Sequence, residues 1–313
     1  MYAPVIIYTL CRYKHFRRCV ESLANCTHAN ETELFIGLDY PAKDSHKQGY
    51  KQLKDYLHGE DFQELSKSFK NVVLQERQYN YGPTKNFEEL RAACYGSGYD
   101  RYIVSEDDNE FSPNFLDYID KGLDKYKDYP SVYAICGYTP VIDAEAYNKN
   151  VYATYEYSAW GMGLWKSKVY KYNRQEIIQI LKQPALCWKL FKKEPRILYT
   201  LYRMMNKRTH LYGDTCAVTR SILNNLYSIF PTVSKVRNWG NDGSGVNCYK
   251  IDDRKYTEQE IDTNPTFDFD DIEIKETKLK ALRKHASLSW KQWVKFPYQI
   301  CKFWIMTIKL KKS

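Results

Sequence analysis

The sequence lacks the signatures of several common classes of site. Its nine cysteines include no Cys-x-x-Cys pair and no cysteine–histidine cluster with zinc spacing. Because nine is odd and the chain has 313 residues, free thiols in a reducing compartment are favoured over a disulfide framework. No Gly-x-Gly-x-x-Gly motif follows the first apolar run and there is no Walker loop, so the sequence signs of NAD or ATP binding are missing. The N-terminus has no basic region followed by a long apolar stretch, which predicts neither a secretion signal nor an N-terminal anchor.

The excess of positive over negative charge lies at the end of the chain, and the body is close to neutral. Residues 275–313 contain eleven Lys and Arg against one acid, while the net charge of the whole chain is +9. A nucleic-acid-binding protein would more often carry its basic patch on the folded body, so no nucleic-acid partner is predicted. The apolar runs of this tail are shorter than the roughly 20 residues that span a bilayer. Its interleaved Trp and Lys suit an anionic membrane surface, and a helix docked on the body is the alternative.

Short apolar runs alternate with helical periodicity in the first half of the chain. Three predicted strands cover residues 5–10, 34–38 and 71–74, and predicted helices lie around 16–23 and 50–57. Strands that alternate with helices predict an α/β fold with a mostly parallel sheet and right-handed crossovers.

Three acidic residues follow the next predicted strand, at 102–105. Glu106, Asp107 and Asp108 stand where the carboxyl end of that strand passes into a loop, which is where open α/β sheets bind ligands. Ser112 and the proline after it predict a helix start, with Ser112 as the N-cap. Adjacent carboxylates repel one another, and hard oxygen ligands suit Mg²⁺ or Mn²⁺, which also bridge phosphates. The alternative is a solvated acidic turn.

The acidic motif and the residues that follow it, as far as Tyr118, resemble the metal motif of GT-A-fold glycosyltransferases. The likeness is to the Glu-Asp-Asp version found in Golgi N-acetylglucosaminyltransferases and related bacterial family 2-like enzymes. It implies a Rossmann-like GT-A domain that moves a hexosyl or N-acetylhexosaminyl group from a nucleoside diphosphate sugar, with a UDP-sugar favoured. The implied acceptor is a hydroxyl of a glycan or lipid-linked glycan, reached by an inverting displacement. Mn²⁺ or Mg²⁺ is the implied cofactor, with Asp108 as its ligand and Glu106 and Asp107 as donor contacts.

The same resemblance assigns four earlier residues to nucleotide binding. Thr9 and Arg12 lie in the loop after the first strand, which is similar to the family's first nucleotide-binding loop. Asp39, after the second strand, matches an acid that often meets the base or ribose. Lys85 precedes a predicted helix, and a helix N-terminus is a natural place for diphosphate. The alternative for Lys85 is an ordinary surface lysine.

Three later segments complete the expected site. Trp160 and Gly161 lie in a stretch similar to one in bacterial nucleotide-sugar transferases. A glycine there lets a ligand approach the backbone closely, and Trp160 offers a flat apolar face to a sugar ring. The alternative is a packing corner. Asp214 matches an acid that removes a proton from the acceptor, and it could also be a helix N-cap. Asn247 stands where the family often has a metal- or phosphate-binding histidine, and its amide could bind phosphate or a metal-bound water.

These features predict a glycosyltransferase domain over residues 1–250, with a donor half at about 1–110 and an acceptor half at about 111–250. An acidic linker at 251–274 and a basic, aromatic, amphipathic tail at 275–313 follow. The expected setting is surface polysaccharide synthesis in the bacterial cytoplasm, peripheral on the inner face of the cell membrane. Two other functions stay open. One is a nucleotidyltransferase acting on sugar phosphates, although such an enzyme would normally carry a Gly-rich basic loop after its first strand. The other is a noncatalytic carbohydrate-binding protein.

Overall fold

The computed structural model describes residues 2–142, 147–245, 254–277 and 287–309. Strands of this part of the chain are β1 (Val5–Thr9), β2 (Glu33–Leu38), β3 (Asn71–Glu76), β4 (Arg101–Glu106), β5 (Asn109–Phe111), β6 (Val132–Cys136), β7 (Val151–Thr154), β8 (Met162–Trp165), β9 (Tyr227–Pro231) and β10 (Val236–Asn238). Its longer helices are α1 (Tyr13–Ala24), α2 (Asp44–His58), α3 (Glu60–Ser66), α4 (Gly82–Gly96), α5 (Phe115–Tyr126), α6 (Arg174–Leu181), α7 (Pro184–Lys193), α8 (Pro195–Lys207), α9 (Gly213–Asn224) and a C-terminal helix (Trp290–Lys309).

The fold is built on a mixed, mostly parallel sheet of eight strands in the order β3-β2-β1-β4-β8-β6-β9-β7, with helices packed around it. The parallel pairs β1–β2 and β1–β4 bring Thr9 opposite Leu38 and Tyr8 opposite Glu106. The carboxyl ends of β1, β2 and β4 therefore meet at one edge of the sheet. The predicted α/β class with a C-terminal helix is confirmed, and so is the strand before the acidic residues.

The helix after the acidic motif begins later than predicted. It starts at Phe115 with Asn114 at the N-cap position, so the assignment of Ser112 as N-cap is wrong. The reason is that the chain first forms β5, which pairs antiparallel with β10, and the Ser112 amide continues this ribbon by donating to the Lys235 carbonyl over 2.9 Å. The Ser112 hydroxyl donates instead to Asn114 Oδ1. A strand more than 100 residues away in the sequence thus determines where this helix begins.

The segment 254–277 packs on the body of the protein. It covers the described part of the predicted acidic linker and the start of the tail. Lys235 is buried, and its ammonium lies 2.6 Å from Asp262 Oδ2. Phe269 is buried against the core, and the Thr277 amide donates to the Ala153 carbonyl over 2.8 Å. This segment has little regular structure, as expected of a loop, but apolar side chains fix it along the sheet and α5.

A second core cluster lies beside the sheet and consists of helices. Side chains of α6, α7, α8 and α9 pack there with the C-terminal helix, which contributes Phe296 and Phe303. The rings of these two residues meet Tyr202 of α8. The alternative of a docked terminal helix is therefore what the structure shows. Within the described ranges, none of the helices combines the length and hydropathy needed to span a bilayer.

Candidate functional site

Three of the predicted donor-binding residues and the predicted metal ligand converge at the carboxyl ends of β1 and β4. The Thr9 hydroxyl donates to Asp107 Oδ2 over 2.7 Å. The Arg12 guanidinium bridges the two aspartates, because one amino group contacts Asp107 Oδ1 and the other lies 2.7 Å from Asp108 Oδ2. Asp107 and Asp108 are both buried. The loop after the first strand and the acidic loop thus form one charged cluster.

A residue that was not assigned a role from sequence completes this cluster. Asn238, at the end of β10, donates to Asp108 Oδ1 over 2.7 Å and to Asn109 Oδ1 over 3.1 Å. Its own Oδ1 accepts from the Gly240 amide over 3.0 Å. A Cβ at Gly240 would collide with Asp108 Oδ2, so the glycine allows the backbone to lie against the carboxylate. The only signal in the sequence is that Asn238 lies nine residues before Asn247, in the last segment that resembles the family.

The cluster holds three carboxyl groups and one guanidinium, and burial acts on the ionisation of the carboxyl groups. Burial, followed by the charges of Asp108, Asp214 and Asp107, raises the pKa of Glu106 to about 8. Burial also raises the pKa of Asp108, although Arg12 opposes this. Three carboxyl groups thus lie beside one guanidinium, and a bound cation would favour their ionised forms over the protonated forms that burial favours.

A bound Mn²⁺ or Mg²⁺ would need ligands from the carboxylates around Asp108. Among the described residues, no group of three His, Cys, Asp or Glu side chains is arranged to hold a metal ion. This is compatible with such a cation, because Mg²⁺ is usually held by one or two carboxylates together with substrate phosphates and waters. Asn238 and Arg12 already contact the two Asp108 oxygens, so a cation bound there would share this carboxylate with them, and the role of Asp108 as metal ligand stays a prediction.

Asp39 and Lys85 lie at the same edge but make protein contacts of their own. The buried Asp39 carboxylate accepts from the amides of Tyr40, Tyr81 and Gly82 at 2.7–2.9 Å, and so holds the loop before α4. Lys85 is exposed and lies inside the first turn of α4 rather than before it, because the helix already begins at Gly82, and its ammonium lies 2.9 Å from the Tyr79 hydroxyl. Contacts of both residues with a nucleotide stay predictions.

A cavity of about 280 Å³ brings two other predicted residues together. Trp160 and Asp214 both line it, with Glu156, Arg196 and Tyr256. Asp214 lies in the first turn of α9, whose N-cap position is Tyr212, so the alternative role of Asp214 as N-cap is wrong. The side chain stays accessible at the cavity, yet the surrounding protein raises its pKa by desolvation.

Trp160 and Gly161 have different roles in this wall. The Trp160 ring packs edge-on against Tyr138 and Tyr256, with centroids 4.5 and 5.7 Å apart. Gly161 has φ of +67°, and a Cβ there would lie 2.9 Å from atoms of both Phe111 and Phe115. Gly161 is thus required by backbone conformation and by packing, in agreement with the packing-corner alternative. Ligand contacts of Trp160 and Gly161 both stay predictions.

Glu156 belongs to a carboxyl pair that the sequence did not reveal. Burial and the neighbouring charge of Glu156 raise the pKa of Glu194 to about 8, and burial also raises the pKa of Glu156. Arg196 Nη2 lies 3.2 Å from Glu194 Oε1. Glu156 and Arg196 line the cavity, and the buried Glu194 interacts with both of them.

The loop after β10 closes over α1 through contacts that were also not predicted. His15 Nε2 lies 2.9 Å from Asp242 Oδ2, and the Arg18 guanidinium lies 3.8 Å from the centre of the Trp239 ring. Trp239 Nε1 donates to Glu110 Oε2 over 2.7 Å. These contacts fix the segment that carries Asn238. Asn247, the remaining predicted residue, lies outside the described residues.

Comparisons with known proteins give a limited result. No protein-family model matches the chain, and no curated protein matches it in sequence. Among solved structures, S. aureus TarS 1-349 matches with 12% identity and a TM-score of 0.36 over 72% of this chain and 71% of that one. The same protein in complex with UDP-GlcNAc gives 12% identity and a TM-score of 0.37 over 72% of each chain. Mouse xyloside xylosyltransferase 1 gives 12% identity and a TM-score of 0.35 over 74% of this chain and 84% of that one. These scores are too low for the likenesses to carry an argument about function.

Proposed function

We propose that the protein is a metal-dependent glycosyltransferase that moves a sugar from a nucleoside diphosphate sugar to a hydroxyl of a glycan or lipid-linked glycan. The observation that carries the proposal is the bridge that Arg12 forms between Asp107 and Asp108. It gathers the predicted donor-binding residues where ligands bind in open α/β sheets. The cavity with Asp214 adjoins it, since the charge of Asp214 acts on Glu106.

The donor would lie over the ends of β1 and β4. Asp108 would hold Mn²⁺ or Mg²⁺, and the bound cation would offset the charge that develops on the departing diphosphate. Thr9 and Arg12 fix the orientation of Asp107, and Asn238 fixes that of Asp108. Thr9, Arg12 and Asn238 belong to β1, to the loop after it and to β10. The two carboxylates are therefore held in place before a ligand arrives.

The acceptor would enter through the cavity. In this proposal the Asp214 carboxylate accepts the proton of the attacking hydroxyl, and its raised pKa makes it a stronger base than an exposed aspartate. Trp160 offers an aromatic surface on which a sugar ring can pack. Displacement on the side opposite to the leaving group would invert the anomeric centre.

The finer assignments rest on the resemblance of the sequence motifs. A UDP-sugar is the favoured donor, the transferred group is hexosyl or N-acetylhexosaminyl, and the product belongs to a bacterial surface polysaccharide. The excess of buried carboxylate around Asp108 supports the dependence on a divalent cation.

The test is release of nucleoside diphosphate from a panel of nucleotide sugars, with Mn²⁺ or with EDTA. We expect release from at least one UDP-sugar with Mn²⁺ only, and its loss in Asp108→Asn but not in the exposed control Asp61→Asn. Pyrophosphate release from a nucleoside triphosphate and a sugar phosphate would instead identify a nucleotidyltransferase. Carbohydrate binding without turnover of any donor would identify a noncatalytic binding protein.

A further inference from the structure

The C-terminal helix presents two opposite faces that are both apolar. The inner face packs on α8 through Phe296, Phe303 and Thr307, which are all buried. On the outer face Val294 is 71% exposed and Ile305 is 56% exposed. These two residues are eleven apart, which is about three turns, so they lie on one line along the helix. Docking on the body therefore accounts for only one side of this helix.

The outer face continues into a larger apolar patch. Its exposed members on the helix are Trp290, Trp293, Val294, Tyr298, Trp304, Ile305 and Ile308. Trp188 of α7 is also exposed and stacks on Phe191, whose ring in turn contacts Trp293. We name the seven helix residues and Trp188 the outer patch. Contiguous exposed apolar surfaces of this kind mark interaction sites.

Lysines border the outer patch along one edge only. Lys291, Lys295 and Lys302 are all exposed, and their spacings of four and seven residues place them on one side of the helix. Residues 287–309 contain no acid. Lys192 adds a positive charge on α7, 5.0 Å from the centre of the Trp188 ring. The apolar line is thus flanked by a row of positive charge.

We infer that the outer patch is a membrane-binding surface that lies in the plane of an anionic lipid bilayer. Val294 and Ile305 would enter the acyl boundary, the tryptophans and Tyr298 would lie at headgroup depth, and the lysines would meet lipid phosphates. A second copy of the chain fits less well, because protein interfaces are depleted in lysine. The inference is independent of the proposed reaction and goes beyond it.

The position of the outer patch has a consequence for access to the cavity. Phe191, which contacts Trp293, is three residues before Glu194, and Arg196 lines the cavity. The corner between α7 and α8 therefore joins the outer patch to the cavity wall. A bilayer bound there would lie next to the cavity, which suits a substrate that is itself anchored in the membrane.

Vesicle flotation of the full chain tests the inference. We expect binding to vesicles of phosphatidylcholine containing about a third phosphatidylglycerol, and much weaker binding to pure phosphatidylcholine, since each basic residue adds about fivefold on anionic lipid. Lys291→Gln/Lys295→Gln/Lys302→Gln should weaken binding on the order of 100-fold. Val294→Ser/Ile305→Ser should weaken it on both lipids. The controls are Lys47→Gln/Lys51→Gln/Lys67→Gln, which removes the same number of lysines, and Val141→Ser; all four residues are exposed and lie elsewhere.

A second measurement does not need the variants. Vesicles with brominated acyl chains should quench the tryptophan fluorescence of the wild-type protein when they contain phosphatidylglycerol. Absence of both flotation and quenching would overturn the inference, and so would patch variants that bind like the wild type. A wild-type dimer in sedimentation velocity that Val294→Ser/Ile305→Ser dissociates, without vesicle binding, would assign the outer patch to a second copy and also overturn it.

Discussion

The Asn238 amide donates to Asp108 Oδ1 over 2.7 Å, although 130 residues separate the two in the sequence. The other Asp108 oxygen faces Arg12, which lies close to the N-terminus of the chain. Asp108 is therefore held from both ends of the domain. Folding of β10 onto β5 is needed before the candidate metal ligand has its final orientation.

Removal of the Asn238 amide should destabilise the protein and loosen Asp108. In Asn238→Ala the buried Asp108 oxygen loses a donor, which should lower the free energy of unfolding by about 1–3 kcal/mol. Chemical denaturation measures this loss, and Mn²⁺-dependent donor affinity should fall as well. Asn224→Ala removes an exposed amide contact and should change neither quantity appreciably. Equal behaviour of the two variants would contradict the positioning role.

A methyl group at Gly240 should displace Asp108. The Cβ of Gly240→Ala would overlap Asp108 Oδ2, so the carboxylate must rotate away from its contacts with Arg12 and Asn238. We expect loss of Mn²⁺-dependent donor binding from a protein that still unfolds cooperatively. Gly96→Ala is the matched control, because no atom lies within 4 Å of its Cβ position. Donor affinity that survives Gly240→Ala would show that this orientation of Asp108 is unimportant.

Asp214→Asn should separate chemistry from donor binding. Loss of a general base typically lowers the rate by about 10²–10⁴-fold. Donor affinity should stay within about twofold, since Asp214 serves the acceptor in this account. In the wild-type protein the rate should rise with pH above the range of an ordinary aspartate, because desolvation raises the pKa of Asp214. The control is the exposed Asp55→Asn; a kcat of Asp214→Asn equal to that of the control would remove Asp214 from catalysis.

The neighbouring carboxyl groups of Glu156 and Glu194 should make the free energy of unfolding depend on pH. The pKa of Glu194 is raised to about 8 by burial and by Glu156, whereas an unfolded glutamate titrates near 4.3. Between these values the folded state binds more protons than the unfolded state, so stability falls as pH rises, by at most about 1.4 kcal/mol per pH unit for one group. Glu194→Gln should flatten this slope, and the exposed Glu64→Gln should not. Denaturation at pH 5, 6, 7 and 8 measures it, and equal slopes would contradict it.

The sheet and its ligand-binding edge could be predicted from the sequence because they depend on local patterns. Apolar runs such as Val5–Thr9 alternate with amphipathic helices, and parallel strands place their carboxyl ends together. The convergence of Thr9 and Arg12 with Asp107 follows from that geometry alone. The start of α5 could not be predicted, because the distant strand β10 holds Ser112 in an extended ribbon.

The parts of the site that depend on long-range contacts were not accessible from the sequence. Glu156 and Glu194 are 38 positions apart, and only the packing of α8 beside the sheet makes them neighbours. The sequence does not show that Gly161 packs against Phe111 and Phe115, because this contact depends on tertiary structure. The resemblance of the motifs indicates candidate segments, and the fold determines which of their side chains remain accessible.

The most direct test of the account is calorimetric titration of UDP into the wild-type protein and Asp108→Asn, each with Mn²⁺ and with EDTA. We expect wild-type affinity to depend strongly on Mn²⁺, and Asp108→Asn to show the weak affinity of the EDTA sample under both conditions. Asp61→Asn should behave as the wild type. Mn²⁺-dependent binding that persists unchanged in Asp108→Asn would contradict the central claim that this carboxylate joins the cation to the nucleotide.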